Sequence, residues 1–302
     1  MGLLTAHHLT KSYKEKTAVN NISFTFQKNK CIALIGPNGA GKTTILRILA
    51  GILDPTSGAI TFQNMEVGSD FRSKIGYLPQ YPVFHSWMTG LEFLIYSGRL
   101  SNLSKVESRN RAESLLLKVG IEDAKNTLIG KYSGGMKQRL GIAQAIIHKP
   151  EILMLDEPVS SLDPIGRREV LTLMGELKEE MTILFSTHIL TDADEVSDEL
   201  LLLRDGEIVE SGSMIELREK YQTSSIKLEF QTDLHLYQKK VEKIASTTGS
   251  YIERNALYVS ATDIQLARRE ILALVSKENW PLLSFTLNRA TLEDMFMKVV
   301  NQ

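Results

Sequence analysis

The chain has 302 residues, 43% hydrophobic and 24% charged, an ordinary globular balance with room for one large domain and one small one. Thirty-five Lys and Arg against thirty-six Asp and Glu leave a net charge of -1, so no overall field gathers nucleic acid or an anionic membrane surface. The single cysteine, Cys31, excludes a disulfide framework within the chain and fits a reducing compartment.

The N-terminal stretch MGLLTAHHLTKSYKEK lacks the charged start, apolar stretch and cleavage site of a secretory signal. His7 and His8 have no Cys, Asp or Glu at ligand spacing, so no metal site is expected there. Apolar runs such as CIALIG and ILML fall far short of the roughly 20 residues a membrane-spanning helix needs. Any membrane role is therefore exercised from outside the bilayer.

Cys31–Ile35 reads as a strand buried on both faces, with Cys31 as a small buried hydrophobe. It runs into Gly36-Pro37-Asn38-Gly39-Ala40-Gly41-Lys42-Thr43, which fits G-x-x-x-x-G-K-[ST] and opens an apolar helix around Thr44–Leu53. Glycines there let the backbone wrap a phosphate, so that N–H groups and the helix N-terminus face its oxygens. Lys42 adds a positive charge near the β- and γ-phosphates, and Thr43 a hydroxyl for Mg²⁺. This loop alone leaves kinases, GTPases and motor ATPases open.

Six aromatics crowd between Tyr77 and Tyr96: Tyr77, Tyr81, Phe84, Trp87, Phe93 and Tyr96. They read either as the core of a small helical subdomain or as a partly exposed groove. At Tyr132-Ser133-Gly134-Gly135-Met136-Lys137-Gln138-Arg139-Leu140, Ser133 can cap the following helix, while Gly134 and Gly135 leave its N–H groups open to a second phosphate. Ile152–Leu155 is another buried strand, ending in Asp156-Glu157-Pro158. Acids at the carboxyl end of such a strand meet the ligand of an open α/β sheet. Asp156 suits Mg²⁺ through its water shell, and Glu157 suits polarising the water that attacks the γ-phosphate.

Thr182–Phe185 is a third buried strand, followed by Ser186-Thr187-His188. Strands alternating with helices over this length predict a largely parallel α/β sheet. Asp198–Leu203 and Glu207–Glu210 then read as a hairpin around Arg204-Asp205-Gly206, closing a first domain at residues 1–222. After a polar stretch at Glu219–Ser225, residues 223–302 read as a small α+β unit. Its predicted strands are Ile226–Phe230, Ala256–Val259 and Leu282–Leu287, with a helix at Asp263–Ser276. Ile264, Ala267, Ile271, Leu274 and Val275 share one helical face, and Thr291 with Asp294 resembles a capping box that opens a final helix.

The segment from Ser133 resembles the signature of the ABC ATPases, and the remaining motifs follow in that family's order over residues 1–222. The signature's usual glutamine is Met136 here, with the serine, glycines and basic helix intact. The resemblance implies a P-loop ABC cassette: a mostly parallel sheet core, an antiparallel β part and a helical subdomain. Tyr13 resembles the aromatic that stacks on adenine, worth roughly 1–3 kcal/mol. Gly36 through Thr44 would hold the phosphates. Gln80 resembles the glutamine that reaches Mg²⁺ and the attacking water, and His188 the histidine that touches the γ-phosphate. Ser133, Gly134 and Gly135 would complete the ATP site of a facing subunit, and Ser160-Ser161-Leu162-Asp163 resembles the loop that crosses the dimer interface, with Asp163 at the nucleotide. A second copy of the cassette and a transmembrane permease subunit are the implied partners, without nucleic acid. The permease would dock beside Gln80, with the chain peripheral at the cytoplasmic face of the membrane. The tail Thr291-Leu292-Glu293-Asp294-Met295-Phe296 looks like that of the antibiotic- and drug-export branch. A soluble ABC ATPase acting on ribosome or DNA is the rival. It is disfavoured by the neutral charge and by the absence of tandem cassettes, zinc motifs and coiled-coil insertions. A small-molecule kinase would leave Ser133–Gly135 and His188 without a role.

Overall fold

A computed structural model describes residues 2–14, 16–63, 65–66, 68–221, 225–230, 234–253 and 255–288. The chain divides into two compact units, Met1–Met214 and Ile215–Gln302. This division falls ahead of the expected boundary at 222/223, because the polar run read as a linker begins inside a helix, Met214–Tyr221.

In the first unit, β1 (Leu4–Tyr13), β2 (Lys16–Phe26) and β4 (Ser57–Phe62) form an antiparallel sheet in the order β2-β1-β4. The second sheet contains β3 (Cys31–Ile35), β5 (Ile75–Leu78), β6 (Ile152–Asp156), β7 (Thr182–Thr187), β8 (Glu199–Arg204) and β9 (Glu207–Ser213). Its order is β5-β6-β7-β3-β8-β9, parallel throughout except for the antiparallel pair β8–β9. Every residue of β3, β6 and β7 is buried, as expected for runs covered on both faces. The β8–β9 turn is Asp205-Gly206, both at positive φ (50° and 83°), so Arg204 belongs to the strand rather than to the turn.

The helices described in this unit are α1 (Lys42–Leu49), α2 (Gly90–Leu100), α3 (Lys105–Lys118), α4 (Gly134–Ala145), α5 (Pro164–Leu177) and α6 (Leu190–Val196), while α7 (Met214–Tyr221) begins at its last residue and belongs otherwise to the second unit. Helix α1 starts and stops earlier than predicted, since Gly51 at φ 67° ends it. Capping boxes Thr89/Glu92 and Ser104/Glu107 open α2 and α3. Ser133 caps α4, and Asp163 caps α5 with Pro164 in its first turn.

In the second unit, β10 (Ser225–Phe230), α8 (Leu234–Val241), β11 (Thr247–Glu253), β12 (Ala256–Ala261), α9 (Ile264–Lys277) and β13 (Leu282–Asn288) make a βαββαβ run. Its sheet order is β11-β12-β10-β13, antiparallel throughout, the ferredoxin-like arrangement. Ile226, Leu228, Leu257 and Val259 on the strands, Val241 on α8, and Ala267 and Ile271 on α9 form its core. Phe230, Tyr237 and Trp280 cluster there with ring centroids 4.2–5.9 Å apart. Strand β11 and helix α8 are absent from the sequence reading, and Thr291 with Asp294 lies outside the described residues.

Candidate functional site

The order β5-β6-β7-β3 brings four sequence-distant loops into one row. Leu78 pairs with Leu155, Asp156 with Ser186, and Thr187 with Ile35, so these strands end together. The residues just beyond those ends are Gln80, Glu157, His188 and Gly36, all on the carboxyl edge where open α/β sheets hold ligands. A cleft of about 760 Å³ opens there, with Tyr13, Lys42, Thr43, Gln80, Glu157 and His188 among its walls.

Gly41 caps α1 at φ 107° and leaves the first-turn N–H groups without a side-chain partner. Such a helix end attracts an anion. A Cβ on Gly41 would stand 2.3 Å from the Ala18 carbonyl oxygen, so only glycine fits this turn. Lys42 is buried, and its Nζ donates to the carbonyls of Gly36 (2.7 Å) and Pro37 (3.1 Å). Burial pulls its pKa below the ordinary lysine value, partly offset by the carboxylates of Glu157 and Asp156. Asn38, Gly39 and Thr44 also line the cleft, while Ala40 is buried behind the loop.

The two acids differ sharply in setting. Asp156 is buried, and its Oδ1 accepts from the hydroxyls of Thr43 (3.2 Å) and Ser186 (2.7 Å). Glu157 has a left-handed backbone, φ 47°, a conformation that costs a non-glycine residue energy and recurs at functional sites. Its carboxylate meets three groups: Oε1 lies 3.2 Å from His188 Nδ1 and 3.9 Å from Lys42 Nζ, and Oε2 accepts from Gln80 Nε2 at 3.2 Å. Among the described residues no group of three or more His, Cys, Asp and Glu could hold a metal ion. A hydroxyl touching a carboxylate instead suits a hard, oxygen-seeking cation that takes most of its ligands from a nucleotide and water.

Tyr13 is half exposed at the cleft, with Lys11 Nζ 5.4 Å above its ring. Lys16, Ala18 and Tyr81 line the cleft as well; of these the sequence singles out only Tyr81, and only as part of the aromatic cluster. Tyr81 adjoins Gln80, and Lys16 pairs with Tyr13 across a turn that carries no Asn-Gly or Asp-Gly signal. Ser133, Gly134, Gly135 and Asp163 do not line this cleft. Ser133 accepts from the Met136 N–H, and Asp163 accepts from the Gly166 N–H.

The aromatic cluster divides between core and surface. Phe93 is buried and meets Phe84 edge-on at 5.3 Å, and Tyr77 packs on the main core. Tyr81, Trp87 and Tyr96 are exposed, together with Val83.

Residues 19–160 match the family model for the ABC transporter, and residues 212–300 that for the ATP-binding protein DrrA1-3-like, C-terminal domain. YxlF of Bacillus subtilis (strain 168), an uncharacterised ABC transporter ATP-binding protein, is 45% identical over 299 residues, covering 99% of this chain and 100% of that one. The chain belongs to the ABC transporter ATP-binding proteins. The linearmycin resistance ATP-binding protein LnrL of Bacillus subtilis (strain 168) is 29% identical over 99% of both chains. A dimeric ATP-binding cassette in a post-hydrolysis state, bound to ADP and Pi, matches with TM-score 0.64 and 26% identity, over 70% of this chain and 98% of that one. As an ABC transporter subunit the protein binds and hydrolyses ATP on a P-loop cassette fold. Subunits of this kind form cassette dimers and work with membrane components, and no helix among the described residues is long and apolar enough to cross a membrane itself.

Proposed function

We propose that the protein hydrolyses Mg²⁺-ATP at the interface of two copies of its cassette, residues 1–222, and drives export through a separate transmembrane permease. The observation that carries this is the meeting of Lys42, Gln80 and His188 on the single carboxylate of Glu157. Groups from four segments of the chain gather where a γ-phosphate and its attacking water fit.

In this reading Tyr13 stacks on adenine, Gly36 through Thr44 wrap the phosphates, and Lys42 meets the β- and γ-oxygens. Thr43, Asp156 and Gln80 hold Mg²⁺, whose charge offsets that of the phosphates. Glu157 takes a proton from the attacking water, and His188 orients the γ-phosphate. Ser133, Gly134 and Gly135 offer the uncovered start of α4 to the nucleotide of the facing copy, and Asp163 holds the crossing loop in place through its cap on α5. Met136 gives only its backbone N–H to the Ser133 cap, so the unusual side chain leaves the helix end intact.

The exposed Tyr81, Val83, Trp87 and Tyr96 support docking of the permease beside Gln80, since a large apolar patch in water marks a partner surface. That puts the subunit on the cytoplasmic face of the membrane, where ATP is. Export is supported by the likeness to LnrL, a protein named for linearmycin resistance. Residues 223–302 act as an accessory domain, and nucleic acid is not a partner.

Glu157→Gln tests the reading: ATP binding is retained while phosphate release falls by about 10²–10⁴-fold, the usual worth of a positioned general base. Unchanged turnover in that variant removes Glu157 from the mechanism.

A further inference from the structure

Ser186 sits one residue before Thr187-His188 on β7, and the family motifs above give it no task. Its side chain is fully buried, directly opposite Asp156 in the β6–β7 register. The hydroxyl makes hydrogen bonds of opposite sense to the adjacent acids. It accepts from the backbone N–H of Glu157 at 2.9 Å and donates its own proton to Asp156 Oδ1 at 2.7 Å. One oxygen atom therefore ties the residue expected to hold the metal to the residue expected to activate water.

We propose that Ser186 is a positioning residue for ATP hydrolysis: its hydroxyl holds Glu157 in a left-handed backbone while fixing the Asp156 carboxylate against Thr43. This rests on the roles proposed above for Asp156 and Glu157. Glu157 at φ 47° is a conformation that a non-glycine residue keeps only when its surroundings over-determine it. The N–H of Glu157 needs a partner at that point, because β6 ends at Asp156 and the ladder offers none beyond it. Ser186 supplies that partner, and the bend it stabilises turns the Glu157 side chain towards Gln80, Lys42 and His188.

At Asp156 the effect is complementary. Thr43 and Ser186 both donate to Oδ1, so the carboxylate is held from two sides and cannot rotate without breaking both bonds. Ordered outer partners of this kind set the orientation of metal-binding carboxylates. An apolar residue at 186 removes both constraints at once, leaving the Glu157 N–H unpaired and Asp156 with one donor fewer. The cradle around Lys42 is untouched by that change, so nucleotide affinity and turnover separate.

The test compares Ser186→Val with Ser186→Thr in the full-length protein, a pair of equal shape that differs in one hydroxyl, with Ser186→Ala as a smaller replacement. Fluorescent-ATP titration reads binding, and phosphate release at saturating Mg²⁺-ATP reads turnover. The valine and alanine variants lose turnover about 10–100-fold with ATP affinity unchanged, and threonine restores it, as expected when an outer hydrogen-bond partner is removed. Equal turnover in Ser186→Val and Ser186→Thr overturns the inference, as does wild-type turnover in Ser186→Ala or a parallel loss of ATP affinity. Should the bulkier pair fail to fold, Ser186→Ala alone decides between these outcomes. Glu157→Gln run beside them separates the two ideas. Wild-type turnover there removes the underlying reading, whereas an inactive Glu157→Gln beside a fully active Ser186→Ala removes only the role of Ser186.

Discussion

His188 Nδ1 lies 3.2 Å from Glu157 Oε1, close enough for the ring N–H to donate to the carboxylate. The two residues follow neighbouring strands β6 and β7, so the contact comes from sheet order rather than from sequence proximity. Lys42 and Gln80 reach the same Glu157 carboxylate. Replacing His188 with Ala lowers ATP turnover by about 10²-fold or more, in the range of a lost proton-transfer or orienting group. Phosphate release measured against an unchanged ATP-binding isotherm checks this.

Gly41 and Gly175 make opposite predictions from the same substitution. Gly41→Ala forces a Cβ against the Ala18 carbonyl at φ 107°, which breaks the turn before α1 and abolishes nucleotide binding. Gly175 lies inside α5, where an added Cβ meets nothing within 4 Å. Gly175→Ala therefore stabilises the fold by about 0.5–1 kcal/mol through lower unfolded-state entropy. Nucleotide titration and thermal unfolding of the two variants read these effects separately.

Arg167 in the first turn of α5 grips Asp192 on α6 through both Nε, at 2.6 Å, and Nη2. Asp192 is fully buried, and burial holds its carboxyl above the ordinary 3.8 despite the arginine. Arg167→Ala leaves that carboxylate uncompensated and lowers stability by about 3–5 kcal/mol. The raised pKa means the fold favours the neutral acid, so this group's contribution is fully present below pH 3.8 and is lost as pH rises through the folded-state value. Wild type therefore loses stability relative to Asp192→Asn as pH rises from 3.8 towards neutrality. Urea unfolding followed by circular dichroism across that range checks the sign.

Cys31 is buried in β3, and desolvation, reinforced by the Asp198 carboxylate, pushes its thiol from 9.0 up to about 12. A thiol held neutral is a poor nucleophile. Iodoacetamide at mildly alkaline pH leaves the native protein unlabelled and reacts at Cys31 only on unfolding. Because the folded pKa is raised, the thiol's contribution to stability is complete below pH 9.0 and disappears as pH rises through about 12.

Features built from consecutive residues were legible in the sequence. The Gly36–Thr43 loop declares itself because its strand, glycines and helix adjoin one another, and the Asp205-Gly206 turn because its backbone demands those residue types. Strands β3, β6 and β7 were visible as continuous apolar runs, the mark of burial on both faces. Strand β1 was not, because register shifts between Ala6 and Leu9, with His8 at φ 50°, break the alternation that would mark a half-buried strand.

What the sequence alone determined, then, is the phosphate loop, the buried strands and the cap of Ser133, since each depends on neighbours within a few positions. Tertiary structure decided the strand order β5-β6-β7-β3, and with it the meeting of Lys42, Gln80 and His188 on Glu157. It also decided the burial of the Ser186 hydroxyl between two acids. Strand order depends on how long crossover connections pack against the sheet, an energy shared among residues far apart in the chain. A serine in an apolar run reads as a strand residue until its cross-strand partner is known. Here that partner is Asp156.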